Sequence, residues 1–142
     1  MKLVVNKCFG GFGLSDKAVE MIMKRKGLDC FKYKQTKFGF KDNTDEFTKI
    51  ESFNDDDLFR YYQTVYLGEK FVGKFPYDSL WSDYRIERND VDLIAVIEEL
   101  GEEAASGRFA ELKIVEIPDD VSWEIDDYDG VETLHEVHRV WS

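Results

Sequence analysis

The sequence predicts an α/β chain of the α+β kind: a small mixed β-sheet with a β-α-β start, a second helix packed on the sheet, and a C-terminal hairpin. Three observations predict it. An apolar run, "KLVV", leads through a glycine loop into an amphipathic stretch. A second stretch, "RNDVDLIAVIEELGEEA", repeats apolar residues at helical spacing. Finally, "VSWEIDDYDGVETLHEV" alternates apolar and polar residues on either side of Asp129-Gly130.

Taken in order, consecutive aliphatic residues in "KLVV", before "NKC", suit a buried strand. Ser15 is then a helix N-cap, Asp16 favours the positive helix end, and Val19, Ile22 and Lys26 mark one face of a helix that ends at Gly27. In "CFKYKQT", Phe31 and Tyr33 alternate with Lys32 and Lys34, as in a half-exposed strand. Laid parallel to the first strand, it would close a right-handed βαβ unit. From Phe38 to Tyr84 the pattern loosens into an aromatic and acidic mixture, read as an insertion. There Asn54 is a cap for a short helix with Leu58, Tyr62 and Val65 inward, although "RYYQTVY" has strand propensity as well. Asn89 is the expected cap of the second helix, whose stripe runs through Val91, Leu93, Ile94, Ile97 and Leu100. "ELKIVEIP" has apolar residues on both faces and is stopped by Pro118, which implies a central strand. The tail after Asp129-Gly130 returns as an antiparallel strand or continues as a helix.

With 142 residues, 43% of them hydrophobic and 15% aromatic, the chain has the apolar content for one domain, 1–142, with 38–84 as the insertion. No apolar run approaches the roughly 20 residues that span a bilayer, so no membrane partner is expected. The apolar stretch at the start holds three residues, too few for a secretory signal, and a cytoplasmic location follows as the expectation. In that compartment Cys8 and Cys30 are expected as free thiols. The net charge is −11, split along the chain: residues 1–41 carry ten Lys/Arg against three Asp/Glu, and residues 42–142 carry nine against twenty-seven. A two-faced molecule is expected. Its acidic body disfavours nucleic acid and attracts a basic partner.

The loop "CFGGFGLS" matches neither the dinucleotide fingerprint nor the Walker spacing. A glycine corner at a helix N-terminus nevertheless offers backbone N–H groups to an anion, with Gly10, Gly11, Gly13, Ser15 and Lys17 as the candidate set. The alternative is a tight corner that needs glycine while Phe9 and Phe12 tuck under the helix. Arg85 and Arg88 precede the second helix and either assist such a site or pair with neighbours such as Asp83 and Asp90. The tail brings His135, His138 and Arg139 together with Glu132 and Glu136. "HEVH" is one residue short of the zincin spacing, and a calcium loop counted from Gly130 would have Ile125 in its first ligand position. No metal and no cofactor are therefore expected.

The stretches "NKCFGGFGLS", "RNDVDLIAVIEELGEEA…LKIVEIPDDVSWEIDDYDG" and "HEVHRVW" resemble a family of small uncharacterised proteins encoded by bacteriophages and prophages. The resemblance covers about half of the chain, at both ends. It carries no catalytic residue, and it implies a setting: an infected or lysogenic bacterial cytoplasm, where accessory proteins of this size bind host proteins or sequester nucleotides. The leading expectation is a non-enzymatic binder of a host protein, with Phe53, Phe59, Tyr61, Trp81 and Tyr84 as aromatic anchors among carboxylates. The alternative is a nucleotide-binding protein, a signal sponge or slow phosphohydrolase, that holds phosphate at the glycine corner.

Overall fold

The computed structural model describes residues 1–39, 44–54, 56–57, 59–74 and 76–137, and among these the chain forms nine strands and three helices. It divides into two compact units: Met1–Ile22 together with Asp83–Ser142, and Met23–Ser82. An α+β architecture is present, with the order strand, helix, strand at its start and a hairpin near its end. Its strands pair antiparallel throughout, in one five-stranded and two two-stranded sheets.

In the first unit, β1 (Lys2–Asn6) pairs with β7 (Leu112–Glu116), Val4 opposite Ile114 and Asn6 opposite Leu112. Leu3, Val4, Val5 and Asn6 are all buried. Among the described residues neither open edge of this ribbon pairs with a further strand through its backbone. On the β1 side, Val4 N–H donates to the Arg88 carbonyl (2.9 Å) and Asn6 N–H to the Glu132 carboxylate (2.8 Å). On the β7 side, Leu112 N–H donates to the Ser106 hydroxyl (2.9 Å) and Ile114 N–H to the Glu102 carboxylate (2.7 Å). The central place expected for "ELKIVEIP" is thus replaced by an edge sealed with side chains, which satisfies the same backbone donors.

Helix α1 (Asp16–Arg25) begins where expected: Ser15 Oγ accepts from Ala18 N–H at 3.2 Å. It ends in a Schellman motif, with Leu28 N–H on the Met23 carbonyl and Gly27 N–H on the Lys24 carbonyl, made possible by φ = +74° at Gly27. Helix α2 (Val91–Leu100) is capped one residue later than expected. Asp90, not Asn89, accepts from Asp92 and Leu93 N–H at 2.9 and 3.0 Å. Its buried stripe is Leu93, Ile94, Val96 and Ile97, while Val91, in the first turn, is exposed. A short helix α3 (Glu102–Ala105) follows Gly101. The hairpin β8 (Trp123–Tyr128) and β9 (Val131–Glu136) turns at Asp129-Gly130, both with positive φ (50° and 91°), as a two-residue turn of the primed type requires. The strand alternative for the tail therefore holds through Glu136.

The second unit is built on a five-stranded sheet in the order β5 (Lys70–Val72), β3 (Glu46–Ile50), β2 (Phe31–Lys37), β4 (Tyr61–Gln63), β6 (Leu80–Trp81). The parallel βαβ closure does not occur, because β1 and β2 belong to different sheets and β2 is flanked by antiparallel β3 and β4. Strand rather than helix is found at "YYQ", and Asn54 caps a turn instead, accepting from Asp56 N–H at 3.0 Å. Residues of the expected insertion, 38–84, supply β3 to β6. On one face Tyr33 and Phe47 are buried with Phe31, Tyr61, Leu67, Phe71 and Leu80 packed on them, Phe47 and Phe71 stacked at 4.8 Å. Tyr33 also holds the loop over this core: its hydroxyl donates to the Gly68 carbonyl and accepts from Leu67 N–H, both at 2.8 Å. Among the described residues no helix is long and apolar enough to cross a membrane.

Candidate functional site

The glycine corner is organised by Asn6, which has no solvent exposure. Its Nδ2 donates to the carbonyls of Cys8 (2.7 Å) and Gly130 (2.6 Å), and its Oδ1 accepts from Cys8 N–H (3.3 Å) and Glu111 N–H (2.8 Å). One amide side chain therefore ties β1, the corner, the start of β7 and the hairpin turn together, with all four of its hydrogen-bonding positions used. Beside it lies Glu132, 4% exposed, whose carboxylate accepts from Asn6 N–H and from both terminal nitrogens of Arg88. Lys7 Nζ reaches the Glu132 carbonyl at 3.1 Å. The Arg88 guanidinium sits 3.8 Å above the Phe12 ring. A buried carboxylate is costly unless paired and hydrogen-bonded, and here it is both.

Backbone approach explains the glycines. A Cβ at Gly10 would fall 2.0 Å from the Phe109 carbonyl oxygen, and one at Gly130 would fall 2.5 Å from both Gly11 N and Phe9 O. Loop and hairpin turn are in contact through glycine on both sides.

Several donors at the mouth of α1 are taken up within the chain. Leu14 N–H donates to the Asp83 carboxylate (3.0 Å), Ser15 N–H to the Ala105 carbonyl (2.9 Å), and Ala18 N–H to Ser15 Oγ. The anion at the mouth of α1 is the chain's own Asp83, placed where the helix dipole favours it. Of the candidate anion set, Gly10, Gly11, Gly13 and Ser15 thus serve the corner, and Arg88 is engaged by Glu132. Lys17 and Arg85 are exposed. His135 is exposed too and lies 2.8 Å from Asp126 Oδ2, while His138 and Arg139 lie outside the described residues. Among the described residues no group of three or more His, Cys, Asp or Glu is placed to hold a metal ion.

The expected aromatic anchors fare unevenly. Phe53 is 7% exposed and packs edge-on against Tyr62, and Tyr61 packs against Phe47 in the core of the second unit, so neither is presented to a partner. Trp81 is half-buried in β6. Phe59 and Tyr84 are exposed, one in each unit. The reason is physical: an aromatic-rich segment spent its rings on its own core.

Three aromatics that the sequence did not single out as anchors stand at the corner instead. Phe9, expected to tuck under the helix, is 72% exposed, and Phe109 and Tyr128 are 54% and 77% exposed. Phe9 and Phe109 flank the contacts at Gly130 and Gly10, and Tyr128 borders the hairpin turn. The legible signal was positional: Tyr128 precedes Asp129-Gly130, and Phe9 precedes Gly10-Gly11. Next to Phe109, an open cavity of about 540 Å³ is lined by Glu102, Glu103 and Glu111 with Arg108.

Charge follows the units, not the sequence ends. The unit that holds the corner has eight Lys/Arg against twenty Asp/Glu, net −12, whereas Met23–Ser82 has eleven against ten, net +1. Of the ten Lys/Arg in residues 1–41, three lie in the first unit and seven in the second. The Asp57 carboxyl is held below its ordinary pKa by the hydrogen bond from Lys34 Nζ, at 2.7 Å, and by the Asn54 backbone.

Comparison of the chain with protein-family models, with curated proteins and with solved structures finds no match.

Proposed function

We propose that this protein is a non-enzymatic binder that captures a basic protein partner on the acidic unit, around Phe9, Phe109 and Tyr128. The observation that carries the reading is that Phe9, Phe109 and Tyr128 are exposed in the unit that holds the whole of the negative charge excess and whose half-buried cation, Arg88, is already matched by Glu132, whereas the exposed rings of Met23–Ser82, among them Phe38 and Tyr77, stand in a unit of net charge +1. Aromatic anchors ringed by carboxylates suit a partner rich in Lys and Arg: the rings supply buried area, and the field speeds and orients encounter. The phage resemblance supplies the setting, in which the partner is a host protein and the protein works as a stoichiometric accessory.

The test is affinity capture. Full-length protein is immobilised and exposed to bacterial lysate at low ionic strength, beside a Phe9→Ser/Tyr128→Ser variant. A defined basic protein is retained, released as salt shortens the Debye length to about 10 Å near 0.1 M, and lost on the variant. Retention that ignores both salt and the aromatic substitutions, or no retention, contradicts the reading.

A further inference from the structure

The β8–β9 hairpin has two edges, and they differ. β9 lies against β1, with the Glu132 carbonyl taken by Lys7 and its carboxylate by the Asn6 amide. Among the described residues β8 pairs with β9 alone. In a two-residue hairpin the residues flanking the turn, Tyr128 and Val131, form a hydrogen-bonded pair, and bonded pairs recur at every second position. The further bond from Val137 N–H to the Ser122 carbonyl keeps that phase. The backbone groups of Trp123, Ile125 and Asp127 therefore point away from β9, three N–H and three C=O, along an open edge.

The side chains along this edge are sorted by face. Glu124, Asp126 and Tyr128 are exposed on one face. Trp123 and Ile125, on the other, are half-buried, with exposed Asp127 beside the turn, and beneath Trp123 lies a mostly apolar groove of about 210 Å³ formed with Val115, Ile117, Val121 and Leu134 and bordered by His135 and Glu136. The charges decide the occupant. A second copy of β8 would set Glu124 and Asp126 against the same carboxylates, and like charges directly opposite are destabilising. A strand carrying Lys or Arg at alternate positions places cations over them and turns its intervening side chains toward the groove.

We propose that the outer edge of β8 receives an extended segment of the partner, with alternating basic and apolar residues, as an added strand. This rests on the binding reading above and specifies its mode of recognition.

The experiment titrates the intact protein with a short peptide alternating Lys and Val, and with a peptide of the same composition in which the Lys and Val residues form separate blocks. Two further forms of the alternating peptide are N-methylated, one on every Val amide and the other on every Lys amide. The alternating peptide binds in a salt-sensitive way and protects the amides of Trp123, Ile125 and Asp127 from hydrogen exchange. One N-methylated form loses affinity by about tenfold or more, as removal of several main-chain hydrogen bonds requires, and the other stays close to the parent. The sensitive set identifies the strand direction. Equal affinity of the two methylated forms, or of block and alternating peptides, overturns strand addition and leaves the acidic-surface reading standing. Absence of salt-sensitive binding by every peptide overturns both.

Discussion

Arg88 and Glu132, 44 residues apart in the chain, meet in a two-pronged ion pair whose Nη2–Oε2 arm is 2.7 Å long, and the carboxylate side of that pair is buried. Through Glu132 the pair is joined to the Asn6 amide, and through Asn6 to the corner and the hairpin turn. The corner is therefore fastened from beneath, and what it presents outward is aromatic.

Breaking the pair leaves an unmatched group inside the fold. Glu132→Gln is expected to lower stability by about 2–3 kcal/mol, somewhat less than for a wholly buried pair because Arg88 keeps some solvent. Arg88→Met combined with Glu132→Leu should cost less than the two single changes added together. Urea unfolding of the parent, Glu132→Gln, Arg88→Met, Glu132→Leu and the double variant measures both. Strict additivity would mean that the two side chains act independently.

The glycines of the corner are not equivalent. Gly130→Ala forces a Cβ against two backbone atoms at a φ of +91°, and a loss of about 2 kcal/mol or more is expected. Gly13→Ala meets nothing within 4 Å and has an ordinary φ, so its effect should stay within about 0.5 kcal/mol. Thermal denaturation of the two variants should separate them, and equal melting temperatures would contradict the packing described.

In the second unit, Tyr33→Phe keeps the ring that meets Phe71 and removes the hydroxyl that serves both Gly68 and Leu67. A loss of about 1–2 kcal/mol is expected, as two half-buried backbone groups lose their partner. Hydrogen exchange at Leu67 should quicken in the variant. An unchanged rate there would show the hydroxyl to be dispensable.

Asp57 gives an acid-limb prediction. Its folded pKa lies below the ordinary 3.8, with the Lys34 hydrogen bond as the largest cause. Its stabilising contribution is thus fully present above that ordinary value and disappears as pH falls through the lowered folded value. Asp57→Asn should flatten the fall in stability below about pH 4 and cost no more than about 1 kcal/mol at neutral pH. An acid limb as steep as in the parent would contradict the assignment.

Local signals in the sequence were legible and long-range ones were not. Ser15, Gly27 and the pair Asp129-Gly130 each announce an element end through their own backbone chemistry, and all three act as expected. Strand partners depend on distant residues: nothing local to "KLVV" tells that its edge will be closed by an Arg88 carbonyl and a Glu132 carboxylate. Asp90 displaced Asn89 as a cap because both are good acceptors and one residue of register separates them. Buried polar residues were the hardest to see, since Asn6, Arg88 and Glu132 look like surface residues by type. One clue was present. Period-two alternation in "VETLHE" places Glu132 on the same face as Leu134, the face that turns inward. Of the expected aromatic anchors, Phe53 and Tyr61 pack into the second unit while Phe59 and Tyr84 stay exposed, because ring content reports buried area without saying which rings a small core will consume.

The central claim is that the acidic unit binds cationic polypeptide at its exposed surface while the glycine corner is closed to anions. The most direct measurement is a titration of the isotope-labelled protein followed by amide NMR, first with the alternating Lys and Val peptide and then with inorganic phosphate and a nucleoside triphosphate. The account predicts shifts along Trp123–Tyr128 and at Phe9 and Phe109 with the peptide, and no movement of Gly10 to Ser15 with either phosphate compound. Phosphate-dependent shifts at Gly10 to Ser15, with β8 silent to the peptide, would contradict it.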